Sequence, residues 1–410
     1  MQTDPSMKQT VQIGSMDKDD QHRCRACGSS DLWIFLELMD LPVHVGVQWS
    51  TRFAARACPR GDIRLAFCYT CGLISNVAFH PDRLNYRHSY DNSLDLSPLY
   101  RAYAQRAAEE LIQNYDLHHT TVMEIGCGTG DFLRLLCTLG DNHGVGFDPS
   151  YDAAKNRNGK CADIEIVRDF YSSQYAHFHG KLICCRQVFE HIPHPREFVR
   201  ILRDAIGQRT ETVVYFEVPN AHYILRDLAV WTIIYEHCSY FSPAAIAHLF
   251  TSQGFAIRKL CESYGGQFVT LEAVPVHACD NPSFGQHQAA QATIAAITSF
   301  VAKYKDKIKQ WHSFIDNIDK QRSRAVLWGA GARAVSFLNI IGVTDPIPYV
   351  VDINPRKAGK HLPGTGQQVV PPEFLQEYRP DIVIIMNDLY EDEIRDRIAK
   401  VGVDAECLCA

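Results

Sequence analysis

The stretch Val122–Leu133 constrains this chain more than any other. It reads Val-Met-Glu-Ile-Gly-Cys-Gly-Thr-Gly-Asp-Phe-Leu. An apolar run leads into Gly126, Gly128 and Gly130, and aliphatic spacing resumes at Phe132, Leu133, Leu135 and Leu136. That succession predicts a strand, a tight turn and a helix. A second short apolar segment, Gly144–Asp148, ends in an acid 18 residues beyond Gly130. A glycine turn followed by an acid about 20 residues on is the general nucleotide-binding pattern: the glycines let the backbone approach the ligand, and the acid accepts from ribose hydroxyls. The fold expected is therefore α/β, with a Rossmann-like domain at the centre.

Length and charge narrow the setting. At 410 residues the chain has room for two or three domains. A net charge of −6 argues against a nucleic-acid binder, which needs a basic face. No apolar run reaches ~18 residues, so no membrane span is expected. The first 21 residues are polar and lack the apolar core of a secretory signal, and are expected to be a disordered tail. With no export signal, the 15 cysteines are expected as reduced thiols in a cytoplasmic protein, a monomer or weak homodimer.

Four segments follow the tail. Residues 22–85 form a metal-binding module, 86–275 the central domain, 276–320 a helical connector, and 321–410 a smaller Rossmann-like domain. The last opens on Ala325–Gly331, an apolar run with a glycine turn, followed by strands ending at Asp352 and near Met386. In the first module, Cys24-Arg-Ala-Cys27 and Cys68-Tyr-Thr-Cys71 have matched spacing, and each is followed by glycine. Two such knuckles suit a closed, structural zinc site, which would order a segment too short to build its own core. The competing reading is two independent redox or buried pairs.

With Glu124 inside its strand, the glycine motif resembles motif I of the class I S-adenosylmethionine (SAM) methyltransferases more than a dehydrogenase fingerprint. The resemblance places Glu124 and the turn Gly126, Cys127, Gly128 and Gly130 at the methionine end of SAM. It puts Asp148 on the ribose, Asp169 and Phe170 near adenine, and Gln187 in the loop over the donor. Cys127 is read as a filler of the turn rather than a nucleophile.

The order of parts is more specific than any one motif. Cysteine knuckles, a SAM core with Glu190-His191, the run Tyr235-Glu236-His237-Cys-Ser-Tyr240-Phe, then Gly265-Gly266 and a smaller Rossmann-like domain resemble the sugar C-methyltransferases. That family acts on nucleotide-activated 4-keto deoxysugars, and the likeness covers roughly residues 22–410. Glu236 and His237 match its central signature, whereas Ile234 and Tyr235 stand where it has Tyr and His. Val269 replaces an Arg, Arg333 replaces a Lys, and a tyrosine-rich region is loosened to Tyr86–Ser93.

The resemblance implies a SAM-dependent methylation at carbon, at C3 beside the C4 ketone. His237 would be the base that forms an enolate, Glu236 its orienter or a sugar contact, and His191 with Tyr86 or Tyr90 would face the ketone oxygen. Tyr240, Gly265, Gly266 and Arg333 are expected on the acceptor side, Arg333 near a diphosphate at the Gly329–Gly331 turn. Asp352 invites a dinucleotide reading there, but the third glycine of that fingerprint is missing, and a purely structural unit is the alternative. Lys357 is read as a solvated turn residue. Two rival functions stay open: O- or N-methylation of another small metabolite, and a zinc adaptor that only binds SAM.

Overall fold

Three sheets carry the chain in a computed structural model that describes residues 23–84, 95–152, 163–276 and 286–410. The largest has seven strands, in spatial order Phe255–Ser263, Phe268–Pro275, Val213–Pro219, Leu182–Arg186, Thr121–Ile125, His143–Phe147 and Ile164–Val167. The last five are parallel, and Phe268–Pro275 runs against both of its neighbours. Leu182–Arg186 is buried along its whole length, as expected of a parallel strand covered on both faces. Strand order reverses at Thr121–Ile125, with His143–Phe147 on one side and Leu182–Arg186 on the other. Ligands of open α/β sheets bind outside the carboxyl ends at such a reversal. The turn 126–130 lies there. The helix Asp131–Gly140 leaves it and buries Phe132, Leu133, Leu136 and Cys137 on one stripe.

An antiparallel sheet precedes this domain: Leu32–Pro42, Arg60–Cys68 and Ile74–Asn76. Its fourth strand, Ser239–Tyr240, comes from within the central domain's sequence and pairs Ile74 with Tyr240 and Ser75 with Ser239. The run around His237 is thus part of the N-terminal sheet.

The C-terminal sheet is fully parallel, in the order Gln368–Val370, Tyr349–Val351, Ala325–Trp328, Ile382–Ile385 and Glu406–Cys409. A 36-residue helix, Gln286–Gln321, leads into it. An apolar core is shared by the N-terminal sheet, the segment 221–240, the long helix and one side of the C-terminal domain. It joins Phe35, Leu38 and Phe67 of the first sheet to Trp231 and Tyr235, to Phe300 and Tyr304 of the long helix, and to Phe337 and Leu338 of the C-terminal domain. Trp231 stands edge-on to Phe337 at 4.8 Å between ring centroids. Each such fully buried aromatic contributes about 1.5–3 kcal/mol over exposure. The shared core fixes the N-terminal and C-terminal units relative to the segment that carries His237.

Candidate active site

A cavity of about 870 Å³ opens where the carboxyl ends of the central sheet face the C-terminal sheet. One wall is the glycine motif. Glu124, Gly126, Cys127, Gly128, Asp148, Asp169, Phe170 and Gln187 all line it. Glu124 is 4% exposed, and its Oε2 is enclosed with no hydrogen-bond partner. Burial pushes its carboxyl up to about 8, against the opposing pull of Arg186. The Asp148 Oδ2 accepts from the Gly128 N–H at 2.8 Å, and Oδ1 accepts from the Ser150 amide and hydroxyl, so the turn and the acid brace each other. Asp169 accepts from the Phe170 amide and the Tyr175 hydroxyl, which leaves the Phe170 ring half exposed at the lip. An enclosed acid, a braced acid and an exposed aromatic face suit a cationic nucleoside donor.

Beneath this wall lies a buried ion pair. Arg186 Nη2 is 3.2 Å from Glu217 Oε1, and its guanidinium stacks 3.9 Å from the Phe132 ring centroid. Gln187 donates to the same Glu217 oxygen and adopts φ 54°, a left-handed conformation that bulky residues seldom take. This pair had no assigned role from sequence. A charged residue at each of two adjacent strand ends was its one signal.

The opposite wall brings together Glu190, His191 and His237, whose ligating atoms lie within 4.8 Å of one another. The His191 and His237 rings meet edge to face at 4.9 Å. Burial lowers His191 to about 4 and holds His237 well below its ordinary value, so both are neutral at pH 7. His237 Nδ1 is enclosed without a partner. The third wall is C-terminal: Gly329, Gly331, Arg333, Asp352, Lys357, Asn387 and Tyr390. Arg333 donates to Gln267 at 2.7 Å and to the Met386 carbonyl at 3.4 Å, a clasp between the central and C-terminal domains.

Other expected residues lie elsewhere. Gly130 is the N-cap of its helix and does not line the cavity. The buried Glu236 side chain accepts from the Val45 amide at 2.6 Å, while its carbonyl meets His191 Nδ1 at 3.1 Å. The Tyr240 hydroxyl is buried against the Ile234 backbone. Gly265 lines a second, smaller pocket of about 310 Å³ that shares Arg333, and Gly266 offers its carbonyl to Asn220. Tyr86 and Tyr90 fall outside the described residues. Lys357 is not a solvated turn residue. It is 6% exposed, and its ammonium bonds the Ala330 carbonyl at 2.9 Å and Asp352 at 3.2 Å. Asp352 also accepts from the Ala330 amide, so the acid that invited a dinucleotide is engaged within its own domain.

The four knuckle cysteines converge away from this cavity, with all four sulfurs within 4.8 Å of one another. Cys24 and Cys71 are 3.4 Å apart, and Cys27 and Cys68 3.5 Å. A tetrahedron of sulfurs around a metal at ~2.3 Å has edges of about 3.8 Å, so the donor set fits a soft divalent cation. Hydrogen bonding within the cluster raises Cys24 and lowers Cys68 from the ordinary thiol value.

Residues 99–260 match the family model of a methyltransferase domain, and residues 285–405 that of a C-methyltransferase C-terminal domain. The chain is 24% identical over 400 residues to the C-methyltransferase NovU of Streptomyces niveus, covering 91% of each. Among solved structures it resembles the N,N-8-amino-8-demethyl-D-riboflavin dimethyltransferase of Streptomyces davawensis at 18% identity, over 43% of this chain and 56% of that one, with a TM-score of 0.35. It also resembles the magnesium protoporphyrin IX methyltransferase of Synechocystis PCC 6803 with bound SAH, at 14% identity over 46% and 91% of the two chains, TM-score 0.35. Among the described residues, no helix is long and apolar enough to cross a membrane.

Proposed function

We propose, from the premise that the chain belongs to the SAM-dependent C-methyltransferases, that it methylates the carbon beside the ketone of a nucleotide-linked 4-keto deoxysugar, at C3. One observation carries the reading: a single cavity has the SAM motif on one wall, the His191–His237 pair on another and the Arg333 turn on a third. Bound SAM supplies an electrophilic methyl group on a sulfonium. The chain must then supply a nucleophile in line with it. Carbon becomes nucleophilic when a proton beside a ketone is removed, which asks for a base in its free form and for relief of charge on the oxygen. His237 meets the first need, because burial keeps it neutral and the residue lines the cavity. Glu236 supports this site through its backbone, which meets His191 Nδ1 while its carboxylate anchors the segment to Val45. Arg333 and the turn Gly329–Gly331 would face the diphosphate of the acceptor. The four cysteines would hold a structural zinc that shapes the N-terminal sheet.

The test is His237→Asn, assayed with labelled SAM and a 4-keto nucleotide sugar. Label fixed on carbon by the wild type, and turnover reduced by at least about 10²-fold in the variant, are the expected results. Label on a heteroatom would remove the C-methylation of this substrate, and near wild-type turnover would remove His237 as the base.

A further inference from the structure

We propose that Glu190 is a catalytic hydrogen-bond donor that holds the ketone oxygen of the acceptor as the enolate forms, while His191 serves as an acceptor. The proposal rests on the C-methylation reading above and names the group that takes up the charge. Glu190 lies in the short turn Phe189–His191 that follows the strand Leu182–Arg186. It is 2% exposed and lines the cavity, and its Oε2 is enclosed with no protein partner. Its carbonyl accepts from the Cys238 amide at 3.0 Å, so its backbone is tied to the residue after His237.

The tautomer of His191 decides the matter. Its Nδ1 is 3.1 Å from the Glu236 carbonyl, an atom that only accepts. The proton therefore sits on Nδ1, and Nε2 of the neutral ring carries a lone pair. Nε2 in that state cannot donate to a developing oxyanion. It lies 4.0 Å from Glu190 Oε1. An ionised carboxylate facing that lone pair is two acceptors opposed, whereas a carboxylic acid faces it without conflict. Burial holds Glu190 near 8, so the acid form dominates at pH 7. A carboxylic acid kept neutral by an apolar site is a competent donor where negative charge develops.

The step balances without any further reagent. The C–H bond beside the ketone breaks, its proton goes to a His237 ring nitrogen and its electron pair forms a carbon–carbon double bond. The carbonyl π pair moves onto oxygen, where the Glu190 O–H holds it. The double-bond pair then attacks the methyl carbon of the donor, the carbon–sulfur bond breaks with its electrons left on sulfur, and the ketone returns. Glu190 keeps its proton, and the proton on His237 passes to solvent with product release.

Glu190→Gln keeps an N–H donor at this place, and Glu190→Ala removes it. The probe is thymidine diphosphate 4-keto-6-deoxyglucose without SAM, with deuterium exchange at C3 followed by NMR, and SAM binding by calorimetry to confirm folded protein. Loss of one oxyanion donor costs about 10²–10³-fold in rate. That loss is expected for Glu190→Ala, with Glu190→Gln within about tenfold of wild type. Glu190→Ala exchanging at nearly the wild-type rate overturns the proposal, as does equal loss in both variants with SAM binding intact. A wild type that exchanges nothing with this probe sinks the substrate reading instead. Infrared spectra of glutamate-labelled enzyme at pH 7 then decide Glu190 separately. A protonated-carboxyl band that disappears in Glu190→Gln supports the proposal, and no such band refutes it.

Discussion

Gly126→Ala is the sharpest test of the donor wall, because two independent costs can be read at this position. Gly126 has φ +73°, and a Cβ placed on it would meet Val188 Cγ2 at 2.2 Å. A side chain in the left-handed region costs about 1–2 kcal/mol, and overpacking a filled site costs about 1–3 kcal/mol. Together they destabilise the turn by about 2–5 kcal/mol, since the strain is conformational and the clash is packing. The loop cannot yield cheaply on the other side, because the Gly126 and Cys127 amides both donate to the Phe147 carbonyl. If the turn shifts to escape the strain, SAM must restore it on binding, and the same energy becomes a loss of about 30- to 5,000-fold in affinity. Thermal unfolding and calorimetric SAM titration share out the two effects. Val188→Ala removes the clashing methyls and leaves φ untouched, so the double variant should recover the packing part alone. The cycle should show a coupling of about 1–3 kcal/mol, as expected of residues in direct contact. Gly126→Ala with wild-type stability and affinity, or a cycle additive within about 0.5 kcal/mol, would refute the reasoning.

Two more outcomes follow from the charges. Glu124 stands near 8 when folded against an ordinary 4.5. The sign is that of a raised carboxyl: its contribution to stability is full below about 4.5 and is lost as pH rises through about 8. A sulfonium bound beside it would favour the carboxylate. SAM binding at pH 7 should therefore release a proton, seen by calorimetry in buffers of different ionisation heat. Affinity should climb toward the roughly tenfold gain in ionised fraction between pH 7 and 9, and Glu124→Gln should abolish both effects. For the knuckles, bound metal should be found near one zinc per chain by elemental analysis. Its removal by a chelator, or Cys68→Ser, should lower the unfolding temperature and the methylation rate together. A chain that loses its metal and keeps both would show the cluster to be incidental.

Local signals were legible and paired ones were not. The strand, turn and helix around Gly126 could be read because glycines, an apolar run and helical spacing sit within a dozen residues. The parallel C-terminal sheet announced itself the same way at Ala325–Gly331. The role of Ser239–Tyr240 could not, because its partner, Ile74–Ser75, lies some 165 residues earlier, and a two-residue strand has no pattern of its own. Lys357 misled for a related reason. A lysine among Asn, Pro and Gly reads as a solvated turn until Asp352 and the Ala330 carbonyl are seen to close on its ammonium. Glu190 stood in plain view beside His191 but carried no signal of its own. What bears on it is the contact of His191 Nδ1 with the Glu236 carbonyl, which no sequence pattern shows.

The distant cysteines and the wall that carries His237 are linked by what it takes to hold that residue still. The segment 234–241 is mostly irregular, and ordering its backbone costs about 1–2 kcal/mol per residue, on the order of 10 kcal/mol in all. The central domain supplies part of the opposing energy through the Glu190 carbonyl, which holds the Cys238 amide. The N-terminal module adds contacts from the other side. Val45 donates to Glu236, the Asn76 amide donates to the Cys238 carbonyl, the His80 amide donates to the Tyr235 hydroxyl, and Ile74–Ser75 pairs with Ser239–Tyr240. Tyr235 also packs where Gly61 leaves room, since a Cβ there would lie 2.5 Å from its ring. That module is a small sheet with little core of its own, the kind of unit that needs a metal or a neighbour to stay folded. Cys68, one of the four knuckle sulfurs, ends the strand Arg60–Cys68 that pairs with Ile74–Asn76. Loss of the knuckle would thus reach His237 through two strand pairings rather than through the cavity, and a metal site without a place in the chemistry would still set its rate.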